Sequence, residues 1–196
     1  MNTHWPWKGT VPAAQHGVTL IELLGALLIL AILLGIGMPG MSLLLASNQA
    51  SNSMLQLRAL LGFARQSAIA LHQEVTLCGT TDGSSCTRDW QGQPTLVFLD
   101  ANHNRRADAD ERVLLLSELT RSGRIRWSAS GARAMLRYRA DGSVGEFGNF
   151  IYCPADSDPR HARQLIVAMT GRPRAARDTN GDGIVDDPNG EPLRCD

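Results

Sequence analysis

The apolar residues of this chain first form one long, unbroken stretch and then a periodic pattern. No Asp, Glu, Lys or Arg occurs over residues 23–57, and up to residue 45 the apolar side chains surround the helix axis, as expected for a helix in lipid. About 20 such residues can span a bilayer as a helix. Gly35, Gly37 and Pro39 interrupt the stretch, so a kink or local unwinding is expected at residues 35–40.

Beyond residue 45 the pattern becomes amphipathic. Apolar residues recur at spacings of three and four, which is typical of a helix with one buried face; they are Met54, Leu57, Leu61, Ala64, Ala68 and Leu71. We therefore predict a single helix over residues 19–72. Its first half is expected to lie in a membrane, and its second half to pack on a globular head.

The segments after the helix are short and are separated by turn signals such as Asp82-Gly83 and Asp141-Gly142. Their composition predicts strands at residues 74–78, 95–100, 112–117, 125–128, 134–139, 149–152 and 164–169. One long helix followed by many strands indicates an α+β fold. Because the connections are short, we expect two small, mainly antiparallel sheets.

The four cysteines all lie in the predicted head, and an even number is typical of an oxidising compartment. Cys78 and Cys86 flank a polar segment that can turn easily, so the predicted disulfides are Cys78–Cys86 and Cys153–Cys195, although four cysteines allow three connectivities. A zinc site is the alternative. It is disfavoured because no CxxC pair occurs and the His residues of the head are not at ligand spacing.

The net charge is zero, but charge is unevenly distributed. Residues 121–139 hold six Arg and no acid, and residues 160–177 hold five Arg and no acid. Residues 178–196 hold five Asp, one Glu and a single Arg. The average therefore conceals two basic blocks and an acidic tail.

The sequence GVTLIE at residues 17–22 resembles the processing site of type IV prepilins, which precedes the apolar stretch, whereas a secretory signal is cut after it. The resemblance implies that the prepilin peptidase cleaves between Gly17 and Val18, and that Val18 is then N-methylated. It also implies that Glu22 is an assembly carboxylate, because an ionised carboxylate in a membrane needs a partner such as the new N-terminal amine of a neighbouring subunit. The alternative is that Glu22 merely extends to water.

The order of features in the head resembles the family of FimT-type minor pilins and H-type pseudopilins of type II secretion. These features are Cys78, Cys86, Asp89-Trp90, the segment LVFLD at 96–100, Asp141-Gly142, Cys153, the segment LIV at 165–167 and Gly171-Arg172.

The segment GRPR at residues 171–174 resembles the GRxR element of FimT-type minor pilins, which binds DNA from a mobile C-terminal region. The resemblance implies DNA contact by Gly171, Arg172, Arg174 and Arg177. Guanidinium groups fit phosphate oxygens, so binding to double-stranded DNA is expected to be sequence-independent and salt-dependent. Arg160 and Arg163 are expected to add to the positive field. The alternative is that these arginines are ordinary solvated surface.

The acidic tail is expected either to pair with these arginines or to bind calcium. The ligand spacing 1, 3, 5 and 9 of an EF-type loop is matched by Asp178, Asn180, Asp182 and Asp186. The alternative is a plain acidic turn. A second segment fits positions 1, 3, 5, 9 and 12, with a polar hairpin loop as its alternative: Asp100, Asn102, Asn104, Asp108 and Glu111.

These observations predict a cleaved leader at residues 1–17, a transmembrane or filament-core helix at 18–45, a pilin-like head at 46–177 and an acidic tail at 178–196. The expected function is that of a minor type IV pilin that binds extracellular DNA for uptake in natural transformation. The alternatives are an H-type pseudopilin of type II secretion and a pilin that only primes filament assembly.

The expected partners are other pilin subunits, the prepilin peptidase, the inner membrane and double-stranded DNA. The head is expected in the periplasm, on a single-pass subunit of the bacterial inner membrane that later enters a pilus at the cell surface. An enzyme is not expected, because no nucleophile motif, phosphate loop or hydrolase-type metal triad occurs. Apart from calcium, no cofactor is expected.

Overall fold

The computed structural model describes residues 17–118, 123–131 and 134–195, with the side chains of residues 36–43 excluded. Apart from Gly17, the predicted leader lies outside the described residues. The chain divides into two compact units, Met1–Ser42 and Leu43–Asp196. The second unit contains the head with the candidate DNA and calcium sites, and the first contains the candidate processing and assembly residues Gly17, Val18 and Glu22.

The helix α1 spans Leu20–Leu71, which confirms the predicted helix to within one residue at each end. Residues 36–43 are helical, so the local unwinding predicted at residues 35–40 is wrong. A proline removes only one backbone donor from a helix, and the neighbouring turns keep theirs. Among the described residues, no helical stretch has the combination of length and hydropathy that a membrane span requires.

The second half of α1 buries one face, as its spacing predicts. The residues below one tenth exposure include Ala50, Met54, Leu57, Leu61, Ala64 and Ala68. The prediction is wrong for Leu71, which is 39% exposed. The reason is that the helix ends there: His72 takes a left-handed conformation with φ of 53°, and the N–H of Gln73 closes back onto the carbonyl of Ala68.

The described residues that follow form eight strands: β1 Val75–Gly79, β2 Thr95–Leu99, β3 Val113–Ser117, β4 Gly123–Ala129, β5 Met135–Tyr138, β6 Gly148–Pro154, β7 Arg163–Val167 and β8 Pro173–Ala175. They form two four-stranded sheets in the orders β3-β2-β1-β5 and β4-β6-β7-β8, hereafter sheet A and sheet B. Every pairing is antiparallel. The α+β class with two antiparallel sheets is thus confirmed, and β8 is the one strand that the sequence analysis missed.

The core of the head is one cluster shared by the second half of α1 and both sheets. Sheet B contributes Trp127 and Phe150, whose ring centroids lie 4.4 Å apart, and Trp90 packs edge-on against Phe150 at 5.1 Å. Because side chains alternate along a strand, burial of Ile125 and Trp127 leaves Arg124 and Arg126 exposed. The β4 edge of the outer face of sheet B therefore carries two exposed arginines.

Candidate functional site

Gly171 opens the predicted DNA-binding element, and it is a packing residue. Its φ is +73°, and a Cβ there would lie 2.1 Å from the carbonyl oxygen of Gly142 and 3.0 Å from the ring of Tyr138. Its N–H donates to the carbonyl of Ala168 at 2.8 Å, and its own carbonyl accepts from the Tyr138 hydroxyl at 3.2 Å. Gly171 is buried, so it fixes where the following arginines begin and offers no surface of its own.

The element continues as the edge strand β8 of sheet B. Arg174 lies opposite Ile166 of β7, and Pro173 lies opposite Val167. A proline is tolerated at a sheet edge because its missing N–H is not needed there. The resemblance implied a mobile segment; the structure instead places residues 173–175 in a paired strand. Arg174 is exposed on this edge strand, and Arg172 is exposed immediately before it.

The three arginines of this element are exposed: Arg172, Arg174 and Arg177. Within the part of the chain that the structure describes, none of them is within ion-pair distance of a carboxylate. Arg174 and Arg177 nevertheless line a groove of about 590 Å³ together with Asp186 and Asp187. The tail acids therefore stand beside the arginines without closing ion pairs onto them.

Arg160 does not strengthen this basic surface in the way the sequence analysis expected. Its Nη2 donates to Asp158 at 2.7 Å and its Nε lies 3.1 Å from both carboxylate oxygens. These hydrogen bonds lower the pKa of Asp158 to about 2. Arg163 directs Nη1 to the carbonyls of Arg160 and Ala162. The sequence could have indicated this ion pair, because Asp158 stands two residues before Arg160 at the start of a short helix.

Two further arginines, Arg124 and Arg126, were not predicted as site residues. They lie on β4 and face outward from sheet B. The alternation of Arg with Ile and Trp along β4 was the available signal. Register places Arg126 opposite Ile151 of β6, so the outer face of sheet B carries arginines on both its flanks, on β4 and on β8. The tail lies between these two flanks.

The tail is fixed to sheet B by the disulfide Cys153–Cys195. Leu193, Cys195 and Ala162 form a small buried cluster with Cys153, and the N–H of Leu193 donates to the carbonyl of Val185 at 2.9 Å. The second predicted disulfide, Cys78–Cys86, is also present. Both pairings favoured by the sequence are thus found, and all four cysteines are oxidised.

The predicted calcium loop in the tail is a compact turn. Asp178 accepts from the N–H groups of Gly181 at 2.6 Å and Gly183 at 2.8 Å, and these bonds lower the pKa of Asp178. Asp186 is 3% exposed and accepts from the backbone and hydroxyl of Thr179. Among the described residues, no three His, Cys, Asp or Glu side chains stand close enough to hold a metal ion. Calcium binding by Asp178, Asn180, Asp182 and Asp186 stays a prediction.

The start of α1 forms a reciprocal cap between Thr19 and Glu22. The Thr19 N–H and hydroxyl each donate to Glu22 Oε2 at 3.1 Å, and the Glu22 N–H donates to Thr19 Oγ1 at 3.3 Å. This is a capping box, which satisfies two otherwise unpaired donors of the first turn. Glu22 thus has a role within its own helix, next to Gly17 and Val18, in addition to the assembly role implied by the resemblance.

Two family models match the sequence of this chain. Residues 54–171 match the family described as type II transport protein GspH, and residues 12–38 match the prokaryotic N-terminal methylation motif. No curated protein sequence gives a significant match. The structure is similar to crystal structures of the type IV minor pilin FimU of Pseudomonas aeruginosa PAO1.

In the P21 crystal form the identity is 17% over 65% of this chain and 88% of FimU, with a TM-score of 0.48. In the P65 form it is 17% over 64% and 90%, with a TM-score of 0.47. The GspH match covers more than half of the sequence. With its methylation motif, long first helix and two-sheet head, the chain belongs to the GspH family of pilin-like proteins.

Proposed function

We propose that this protein is a minor type IV pilin whose head binds double-stranded DNA without regard to sequence, for DNA uptake in natural transformation. The observation that supports this most is the set of three exposed arginines on and beside β8, none within ion-pair distance of a described carboxylate: Arg172, Arg174 and Arg177. Arg124 and Arg126 on β4 are a second exposed pair of arginines on the same sheet, separated from β8 by the tail.

The chemistry of such a surface suits a phosphate backbone. An arginine is always charged and binds phosphate oxygens through two parallel N–H bonds. Contacts to phosphate carry no sequence information, and in the described part of the chain Arg174 lies on the edge strand of a sheet, not on a helix that could enter a groove and read bases. The neighbouring Asp186 and Asp187 reduce the net positive charge, so binding per subunit is weak and several subunits on one filament are needed to hold a duplex.

The double substitution Arg172→Gln/Arg174→Gln tests this proposal. We expect its affinity for a short fluorescent duplex of random sequence, measured by anisotropy at low salt with the detergent-purified chain, to fall by about tenfold or more. The slope of log K against log salt is expected to become about two units shallower, because two phosphate contacts are lost.

The matched control is Arg88→Gln/Arg112→Gln. Both residues are exposed; Arg112 directly precedes β3, and Arg88 follows Thr87, which bridges to Gly79 of β1. The net charge therefore changes equally while sheet B is untouched. This control is expected to bind DNA as the unsubstituted chain does. Equal binding by all three proteins across the salt series would contradict the proposed interface.

An H-type pseudopilin of type II secretion without a nucleic-acid role is the second candidate function. Two observations favour it: the match of residues 54–171 to type II transport protein GspH, and the acids that share the groove of the arginines. The same titration separates the candidates, because a pseudopilin is not expected to lose DNA affinity when Arg172 and Arg174 are replaced.

Under either function we propose that the prepilin peptidase cleaves between Gly17 and Val18, and that Val18 is methylated. Mass spectrometry of protein purified from a host with this peptidase is expected to find a mature chain that begins at N-methyl-Val18. A Gly17→Leu control is expected to retain residues 1–17. Native protein that still carries those residues would exclude a filament subunit, whatever its affinity for DNA. Glu22 is proposed to meet the amine of Val18 in a neighbouring subunit.

A further inference from the structure

The loop between β2 and β3 contains a buried carboxylate oxygen with nothing to bind. Asp100 is 1% exposed. Its Oδ2 accepts from the N–H of Arg105 at 3.3 Å, whereas its Oδ1 is buried and has no hydrogen-bond partner among the described residues. Burial and the nearby charge of Glu111 raise the pKa of Asp100. A buried oxygen without a donor is costly, so Oδ1 of Asp100 is a candidate ligand atom.

The other oxygen-bearing side chains of the loop surround the same turn. Asp108 Oδ2 accepts from Asn102 Nδ2 at 2.9 Å and from Asn104 Nδ2 at 2.6 Å. Glu111 Oε1 accepts from the N–H of Ala101 at 2.8 Å. The amide oxygens of the two Asn side chains accept from backbone N–H groups, Asn102 Oδ1 from Asn104 at 3.0 Å and Asn104 Oδ1 from Arg106 at 2.8 Å, and each of these oxygens keeps a second lone pair for an ion.

The backbone of this loop repeats the conformation of the tail loop. Positions four and six are left-handed in both, with φ of 59° at His103 and 70° at Arg105, against 82° at Gly181 and 88° at Gly183. Arg105 therefore takes the turn conformation for which an EF-type loop normally uses glycine. The turn is anchored, because the N–H of Cys86 donates to the carbonyl of Arg105 at 3.1 Å.

We propose that residues 100–111 bind a calcium ion through the free Oδ1 of Asp100, the side chains of Asn102, Asn104, Asp108 and Glu111, and the backbone carbonyl at position seven. An all-oxygen set of this size is what calcium prefers, whereas magnesium demands stricter octahedral geometry. The negative charge of the three carboxylates would be largely neutralised by one divalent cation.

The neighbouring cations are already engaged or exposed. Arg137 is held by Glu146 and Glu74, His103 Nδ1 lies 3.2 Å from Glu74, and Arg106 is exposed. The acids are not gathered closely enough for an ion as they lie, so binding draws Asp108 and Glu111 inward. The ion would fasten the β2–β3 loop against the Cys78–Cys86 segment.

Hydrogen exchange of the unsubstituted, detergent-purified chain tests this without relying on any variant. We compare 2 mM calcium chloride, the same concentration of magnesium, and chelator. Amides of residues 101–108 are expected to exchange about tenfold more slowly in calcium than in chelator, with little change in magnesium. Identical exchange of this segment in calcium and chelator would overturn the proposal.

Calorimetric titration with calcium chloride then assigns the ligands. Glu111→Gln is expected to weaken calcium binding by about tenfold or more, because it removes the position-12 carboxylate. The matched control Asp110→Asn removes an exposed acid of the same loop that is outside the ligand pattern, and it is expected to bind normally. Calcium binding that persists in Glu111→Gln but disappears in Asp178→Asn/Asp182→Asn would place the ion in the tail and overturn the proposal.

Discussion

Replacing Arg137 by methionine is expected to lower the free energy of unfolding by about 3–5 kcal/mol, because it strands a buried carboxylate. The Glu146 side chain is 4% exposed and accepts from Arg137 Nη2 at 2.5 Å and Nε at 3.1 Å. Hydrogen bonding to Glu146 also raises the pKa of Arg137. Methionine keeps most of the aliphatic part of the arginine side chain, so the loss of unfolding free energy measures the removal of the ion pair. The measurement is urea unfolding of the detergent-purified chain, followed by circular dichroism.

The position of this pair explains why its loss affects the whole head. Arg137 lies on β5 of sheet A and also reaches Glu74, just before β1, at 3.4 Å, whereas Glu146 lies two residues before β6 of sheet B. The guanidinium therefore joins the edge of sheet A to the connection that begins sheet B. Substitutions here are expected to unfold both sheets together.

Glu74→Gln is the matched control for Arg137→Met. Its side chain is 24% exposed, its distance to the guanidinium is longer, and it leaves Glu146 paired, so we expect a loss below about 1 kcal/mol. The double variant Arg137→Met/Glu146→Gln is expected to recover part of the loss, because the stranded charge is removed. Unfolding of Arg137→Met at the unsubstituted midpoint would show that the pair contributes nothing.

The second half of the helix and β4 could be predicted because burial imposes a period on the sequence, whereas β1 and β2 are short, almost continuously buried apolar runs. The face of α1 from Met54 to Ala68 repeats every three or four residues, and β4 alternates Arg with Ile and Trp. β8 could not be predicted in this way. Its three residues contain a proline and no alternation, and it is a strand only because β7 presents a free edge to it.

The residues of the candidate site were proposed from a motif, but the contacts around them could not be predicted from the sequence. Arg172 and Arg174 were identified from their motif, and both are exposed. Whether a charge is free depends on contacts across the fold, and Arg137 meets partners 9 and 63 residues away, which no local pattern encodes. The position of the tail acids in the groove of Arg174 and Arg177 likewise follows from the register of sheet B and the Cys153–Cys195 disulfide.

Removing the disulfide of the tail by Cys153→Ser/Cys195→Ser is expected to cost about 4 kcal/mol, from the chain-entropy relation for a closed loop of this length. The two cysteines are separated by 42 residues. Because the small cluster around Leu193 depends on this disulfide, residues 185–193 should also exchange their amide hydrogens much faster. Urea unfolding and hydrogen exchange of the oxidised chain, compared with the variant, measure the two effects.

The second disulfide provides the matched control. Cys78 and Cys86 are separated by only eight residues, so the same relation gives about 2.5 kcal/mol for Cys78→Ser/Cys86→Ser, and amide exchange in the tail should be unchanged. A loss as large in this control as in the tail variant would contradict the loop-length argument. A tail that exchanges at the unsubstituted rate without Cys195 would show that the Val185–Leu193 hydrogen bond and its apolar contacts are sufficient to hold it against sheet B.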